Sequence, residues 1–168
     1  MSLASMIKSA VPIAVLAFLV LGIASKPAAA STATANIAVS ATVNANCIIS
    51  ANPLAFGTYT GAQNQATTTL SVTCTNTTPY NVGFSAGLGT GATVTTRKMT
   101  GPSSAVLSYG LYSDSGRSVN WGSTVGTDTV TGTGNGSAQA ITVYGALPAS
   151  QYVNPGAYSD TITASIIF

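Results

Sequence analysis

The apolar residues of this chain recur with a period of two, and this pattern constrains the fold more than any other feature of the sequence. After residue 30 no stretch keeps apolar residues at the i, i+3, i+4 and i+7 positions of an amphipathic helix, and Glu, a common helix former, is absent. Segment 35–43 alternates between apolar and mostly polar residues, and its apolar face consists of Ala35, Ile37, Val39, Ala41 and Val43. The pattern predicts an all-β protein.

Further strands are predicted along the rest of the chain, at residues 68–74, 80–85, 106–112, 138–146 and 158–168. Stretches rich in Gly, Ser, Asn and Asp separate them, such as 87–91, 113–116 and 132–136. Short strands at this spacing indicate a β-sandwich or a β-barrel. Because no internal repeat or linker divides the sequence, we expect one domain, residues 47–168, preceded by an extended arm.

Residues 1–30 differ from the rest. A single Lys8 precedes the apolar run 11–24, and small residues follow, ending at Ala30. This layout is typical of a secretory signal peptide. A membrane anchor is the alternative, but the run is shorter than the roughly 20 apolar residues that cross a bilayer. We therefore expect cleavage after Ala30 and export of residues 31–168.

The predicted mature chain carries few charges. Its basic and acidic side chains balance, and they are Arg97, Lys98, Arg117, Asp114, Asp128 and Asp160. No basic stripe is present that could bind nucleic acid. So sparse a charge is uncommon on a soluble monomer, and it points to a surface that enters an assembly.

The chain contains two cysteines, Cys47 and Cys74. An even number in an exported chain predicts a structural disulfide formed in an oxidising compartment such as the periplasm. The bridge would contribute about 3–4 kcal/mol by restricting the unfolded chain. A redox-active pair is the alternative, but such pairs favour close CxxC spacing and cationic surroundings, which neither cysteine has in the sequence.

The sequence lacks most of the residues that catalysis uses. Without His or Glu it can form no Ser-His-Asp triad, Cys-His dyad or His-based metal site, and we expect neither enzymatic activity nor a cofactor. Asp114, Asp128 and Asp160 all lie beside Ser, Thr or Gly, which favours turn-forming roles over a glycosidase pair. Trp121 is expected to pack in the core, although an aromatic platform for sugars is the alternative.

Residues 31–46 form the N-terminal arm. If the first strand of the sandwich begins near Cys47, the arm has no obvious partner in its own domain. At about 3.3 Å per residue the arm reaches roughly 50 Å, which is enough to enter an adjacent subunit. The alternative is an ordinary first strand folded back on its own sheet, and composition alone does not separate the two.

A succession of short motifs resembles the spore coat protein U domain family, which includes subunits of archaic chaperone-usher pili. They are Leu-Ala-Phe-Gly-Thr-Tyr at 54–59, Val-Thr-Cys-Thr at 72–75, Pro-Tyr-Asn-Val at 79–82, Leu-Ser-Tyr-Gly-Leu-Tyr-Ser-Asp at 107–114, Trp-Gly at 121–122, Val-Tyr-Gly-Ala-Leu-Pro at 143–148, Gln151 and Pro-Gly-Ala-Tyr-Ser-Asp-Thr-Ile at 155–162. Ala146 departs from the family, which often has a basic or polar residue there. The resemblance covers nearly the whole mature chain, and its specificity lies in the order of the motifs.

The resemblance implies an incomplete immunoglobulin-like β-sandwich of the pilin type, completed by donor-strand exchange. A periplasmic chaperone would supply the missing strand first, and the arm of the next identical or related subunit would then replace it, with an outer-membrane usher as a further partner during assembly. The donor residues would be those of the apolar face of segment 35–43. The C-terminal segment would form an edge of the acceptor groove, and it consists of Thr161, Ile162, Thr163, Ala164, Ser165, Ile166, Ile167 and Phe168.

The function so implied is that of a structural subunit of a fibre at the cell surface, supporting adhesion and biofilm formation. A non-polymerising secreted coat protein and a minor adaptor subunit of the pilus are the alternatives. A tip adhesin is disfavoured, because it would be expected to carry a second, receptor-binding domain ahead of its pilin domain.

Overall fold

The computed structural model describes residues 26–168, so most of the predicted signal peptide lies outside the described residues. The chain divides into two units between Ser40 and Ala41. Residues 26–46 form neither strand nor helix and are exposed. No helix within residues 26–168 is long and apolar enough to span a membrane.

The second unit contains eight strands among the described residues. They are β1 (Cys47–Ala51), β2 (Asn64–Cys74), β3 (Pro79–Phe84), β4 (Arg97–Thr100), β5 (Val106–Tyr112), β6 (Val130–Thr133), β7 (Gln139–Leu147) and β8 (Ala164–Ile167). A single 3₁₀ turn, Pro102–Ser104, links β4 to β5.

The strands form two antiparallel sheets. One has five strands in the order β1-β2-β7-β5-β4, and the other has three in the order β6-β3-β8. Burial alternates along β2, where Leu70, Val72 and Cys74 point inward while Ser71 and Thr73 are only half-buried. This is the alternation that a sheet with one buried face requires, and it explains the period of two in the sequence.

Most of the sequence-predicted strands are present. The range 106–112 coincides with β5, and 68–74, 80–85 and 138–146 largely overlap β2, β3 and β7. The prediction was too long at the C-terminus, where only Ala164–Ile167 of the range 158–168 is a strand. It also placed a loop at 132–136, whose first two residues belong to β6, and it missed β4.

The core between the sheets is built around Trp121, which is fully buried. Its indole ring lies 4.5 Å from the ring of Phe84, between centroids. The core prediction for Trp121 is therefore confirmed, and the sugar-platform alternative is not. The other apolar side chains of the core are Leu70, Val72, Cys74, Tyr80, Val82, Phe84, Leu107, Tyr109, Leu111, Val143 and Leu147.

A disulfide joins Cys47 to Cys74, as the sequence predicts. The two residues lie directly opposite each other in the β1–β2 ladder, and their Cα atoms are 4.1 Å apart. The bridge therefore fixes the first residue of β1 to the last residue of β2.

Candidate functional site

β1, an edge strand of the five-stranded sheet, and β8, an edge strand of the three-stranded sheet, lie close to each other. In the described part of the chain β1 pairs only with β2, and β8 pairs only with β3. Each strand therefore has one edge whose backbone N–H and C=O groups are not used by a neighbouring strand. Such edges are the usual sites at which another strand is added to a sheet.

A cavity of about 600 Å³ opens at the end of β1 and the beginning of β8, where Ala51 and Ala164 line it. Residues 51–56 line one side of it and residues 158–164 line the other. Its floor consists of core side chains from both sheets, namely Leu70, Phe84, Tyr109, Leu111 and Val143. The cavity thus gives access to the apolar core.

A second cavity of about 940 Å³ adjoins the first. It lies between residues 54–61 and residues 151–158, and the two cavities share Leu54, Phe56, Met99 and Tyr158. The two adjoining cavities are called here the groove, and its two rims are residues 51–61 and residues 151–164.

The predicted groove edge, residues 161–168, is only partly at the groove. Thr161, Ile162 and Ala164 line the first cavity. The side chains of Ile162, Ala164 and Ile166 are half-buried and pack against the core, whereas Thr163, Ser165, Ile167 and Phe168 are exposed. The edge therefore presents alternate side chains to the core, as a strand beside the groove must.

Sequence reasoning missed the opposite rim, residues 51–61, which has no strand beyond Ala51. Side chains hold this rim in place instead of a ladder. The side-chain amide of Asn64 donates a hydrogen bond to the carbonyl oxygen of Phe56 at 2.8 Å. The hydroxyl of Tyr59 donates one to the carbonyl oxygen of Pro148 at 2.6 Å. Because Tyr59 and Pro148 are distant in the sequence, no local pattern predicts this contact.

The residues of the other rim are also fixed by side chains. The carboxylate of Asp160 accepts hydrogen bonds from the hydroxyl of Tyr109 and from the backbone N–H of Leu88, both at 2.8 Å. Burial, and then the hydrogen bond to Asp160, raise the pKa of Tyr109 above its ordinary value of 10.0. Tyr109 therefore remains a proton donor to Asp160 throughout the neutral range.

A buried cation lies behind this contact. Arg97 is fully buried and stands opposite Tyr109 in the β4–β5 ladder. Its guanidinium donates to the backbone oxygens of Ser85, Val94 and Trp121 at 2.9, 2.7 and 2.7 Å. Burial lowers the pKa of Arg97, while its carbonyl partners replace the water that the charge has lost.

The remaining acidic residues serve their own loops. The carboxylate of Asp114 accepts hydrogen bonds from the backbone N–H groups of Ser118 and Val119, which lower its pKa. Asp128 accepts one from the N–H of Thr124. These two residues have the turn-forming roles predicted for them, whereas Asp160 bonds to distant segments. Residues 26–168 contain no cluster of acidic and Cys side chains that could hold a metal ion.

The predicted donor residues of the arm are available for contact. Ile37, Val39 and Val43 have exposed fractions of 86%, 90% and 84%. The arm ends at Asn46, whose backbone oxygen accepts a hydrogen bond from Thr75 N–H at 2.9 Å. Three β-branched apolar side chains of the arm are thus left in contact with solvent.

Comparisons with known proteins agree with this architecture. The pattern of the family described as "Spore Coat Protein U domain" matches residues 33–165. The chain is 38% identical to Protein U of Myxococcus xanthus over 163 residues, which cover 87% of this chain and 90% of that protein.

A solved structure is also similar, the CsuC–CsuE chaperone–tip adhesion subunit pre-assembly complex from the archaic chaperone-usher Csu pili of Acinetobacter baumannii. The TM-score is 0.57 at 23% identity, and the match covers 76% of this chain. This chain spans 41% of the matched one. At this identity the similarity concerns the fold, and it confirms the predicted all-β, pilin-type sandwich.

Proposed function

Because this chain belongs to the Spore Coat Protein U domain family, we propose that it is a structural subunit of an archaic chaperone-usher pilus and polymerises by donor-strand exchange. In this proposal the arm of one subunit, residues 31–46, occupies the groove of the next. The observation that carries it is the open groove, which has an apolar floor and an unpaired strand edge from each sheet.

The arm has the chemistry that such a groove requires. One face carries the predicted donor residues, and the larger ones, Ile37, Val39 and Val43, are exposed. Burying each of these three contributes about 1.5–3 kcal/mol, and Ala35 and Ala41 add smaller contributions. The backbone of the arm can in addition pair with a groove edge, which supports binding without any specific side-chain contact.

Donation from subunit to subunit leads to a fibre. Each chain would use its arm as one surface and its groove as a different one, and such a head-to-tail contact does not close on itself. Residues 31–168 carry few charges, and these balance, so electrostatic repulsion between the many subunits of a fibre is small. Polymerisation of a single chain type is thus physically consistent.

The partners follow from the same groove. A groove lined by core side chains and flanked by unpaired strand edges requires a temporary occupant before assembly, and we expect a periplasmic chaperone in that role, followed by an outer-membrane usher. The similarity to a chain of a chaperone–subunit complex supports the chaperone. The expected location is the cell surface, where the fibre would support adhesion and biofilm formation. We expect no enzymatic activity.

A secreted coat protein that does not polymerise is the second candidate. The family description names a coat, and the match to Protein U covers 90% of that protein. Electron microscopy of material sheared from the cell surface separates the two, because only the pilus subunit yields thin fibres that disappear when its gene is deleted. A minor adaptor subunit would leave the fibres present but fewer or shorter.

The direct test is completion of the domain within one chain. The variant lacks residues 31–46 and carries a copy of residues 34–44 after Phe168, joined by a short flexible linker; it is called here the completed domain. The appended strand acts at high effective concentration. We expect a soluble monomer with a cooperative thermal transition.

The matched control has the same deletion and the same linker but no appended strand. It is expected to aggregate, because the apolar floor and the unpaired strand edges of its groove remain open. If the control is already a stable monomer, the sandwich needs no added strand and the proposed mechanism is wrong.

A further inference from the structure

One rim of the groove passes from one sheet to the other. Ser159 exchanges two backbone hydrogen bonds with Thr100 at the end of β4, at 2.9 and 3.2 Å. A few residues later β8 pairs with β3 of the three-stranded sheet. Residues 160–163, called here the crossing segment, span the gap between the sheets beside the groove.

Asp160 begins the crossing segment, and its carboxylate joins three parts of the fold. One oxygen, Oδ2, accepts a hydrogen bond from the hydroxyl of Tyr109 in β5. The other, Oδ1, accepts hydrogen bonds from the backbone N–H groups of Leu88 at 2.8 Å and of Thr161 at 2.7 Å. The same carboxylate lines the first cavity of the groove. Asp160 thus ties the rim to the core and to the loop after β3.

The loop that contains Leu88 is shaped around this carboxylate. Gly87 has a φ of +89°, and a Cβ atom at this position would overlap the carboxylate of Asp160. Glycine is the residue that adopts a positive φ at little cost and has no Cβ atom to clash with the carboxylate. The contact is therefore supported by the backbone of the loop as well as by its hydrogen bonds.

We propose that Asp160 is a positioning residue that fixes the start of the crossing segment to β5 and to the loop after β3, so that this rim of the groove is ordered before a strand enters. The inference rests on the proposed function. If the rim is ordered before a strand binds, binding does not have to include the entropy cost of ordering it. This preorganisation favours association. Without the carboxylate, the start of the segment loses its contacts with β5 and the loop, while Ser159 keeps its pairing with Thr100 and Thr163 keeps its hydrogen bonds with Ser85.

The chemistry of the three contacts distinguishes Asp160→Ala from Asp160→Asn. Alanine removes all three hydrogen bonds. Asparagine can keep its oxygen toward Leu88 and Thr161, while its NH₂ group faces Tyr109, whose hydroxyl can act as an acceptor instead of a donor. The asparagine variant should therefore rescue most of the positioning effect.

The test uses the chain from Ser31 to Phe168, diluted from denaturant into an excess of a fluorescent peptide of residues 31–46, with binding followed by fluorescence anisotropy. For Asp160→Ala we expect association slower by about tenfold, with a smaller change in dissociation. For Asp160→Asn we expect association within about threefold of the parent.

The matched control is Asp114→Ala, which also removes a carboxylate that accepts backbone hydrogen bonds, but in a loop that does not line the groove. Its association rate should equal that of the parent. Slow association of Asp160→Ala beside a parent-like rate for Asp114→Ala is the result that positioning at the groove predicts. Equal slowing in the two therefore overturns the inference.

Tyr109→Phe provides a second measurement in case Asp160→Ala does not fold. It removes one of the three hydrogen bonds and leaves the other two, so association should be slowed by a smaller factor than in Asp160→Ala. Unchanged association in Tyr109→Phe or in a folded Asp160→Ala contradicts the inference and leaves the proposed function intact. If the parent chain itself does not bind the peptide, the proposed function is wrong and the inference falls with it.

Discussion

The side-chain amide of Gln151 pairs with the backbone of Ser108 as a neighbouring strand would. Its Oε1 accepts a hydrogen bond from Ser108 N–H at 2.7 Å, and its Nε2 donates one to the carbonyl oxygen of Ser108 at 2.9 Å. Gln151 thereby fixes the start of the rim 151–158 to β5.

Replacement of this residue tests how much the rim depends on it. Gln151→Ala leaves the two backbone groups of Ser108 without these partners, and we expect the free energy of unfolding of the completed domain to fall by about 1–3 kcal/mol. The control is Gln65→Ala on the exposed face of β2, where a change within about 0.5 kcal/mol is expected. Chemical denaturation measures both, and equal effects would contradict the assigned role.

Loss of the disulfide is expected to reduce the amount of subunit. Cys74→Ser opens the loop between residues separated by 27 positions and places a hydroxyl at a buried site. A loss of about 2–5 kcal/mol is expected from the bridge, which a domain with an open groove cannot spare. Immunoblots of the periplasm should show much less Cys74→Ser than parent. Equal accumulation would mean that the bridge is not needed for folding.

The two faces of the arm are expected to differ. Val39→Asp places a charge on the apolar face, where it would be buried without a partner in the groove of the next subunit. Fibres seen by electron microscopy should disappear, while chaperone-bound monomer persists. Ser40→Asp, on the opposite face, is the matched control and should still assemble. The reverse result, with Val39→Asp assembling and Ser40→Asp not, would show that the other face enters the groove.

The raised pKa of Tyr109 predicts a dependence of stability on alkaline pH. The folded state keeps this proton where the unfolded chain releases it, so the contribution is complete below the ordinary value of 10.0 and is lost as the pH rises above it. Tyr109→Phe has no such proton. The completed domain should therefore be more stable than its Tyr109→Phe variant at pH 8.

The difference in the free energy of unfolding between the completed domain and its Tyr109→Phe variant should narrow by up to about 1.4 kcal/mol between pH 10 and pH 11. Chemical denaturation at pH 8, 10 and 11 measures it. A difference in the free energy of unfolding that stays constant over this range would show that Tyr109 releases its proton equally easily in both states.

The strands that the sequence predicted are those whose packing is visible in a local pattern. β5 has buried Leu107, Tyr109 and Leu111 at alternate positions, and its bounds were predicted correctly. β4 was missed because it begins with Arg97, a residue expected at the surface. Its burial depends on carbonyl oxygens of distant segments, which no window of sequence displays.

The groove was predictable only in part for the same reason. The C-terminal edge alternates in its sequence, and the resemblance to the family gave it a role. The rim 51–61 and the crossing segment are fixed by side-chain hydrogen bonds of Asn64, Tyr59 and Asp160 to backbone and side-chain groups outside any regular strand pairing. Asp160 has the local context of a turn residue, so its distant partners could not be inferred.

The position of the disulfide has a mechanical consequence. Cys47 follows the arm directly, and it is bonded to Cys74 of β2, an interior strand of the five-stranded sheet. In a fibre of the proposed kind, a pull on the arm enters the domain at Cys47. The covalent bond carries this tension directly into β2, so that β1 cannot be peeled from its neighbour pair by pair from the arm end. The tension that reaches a subunit through its single donated strand is then distributed over the five-stranded sheet.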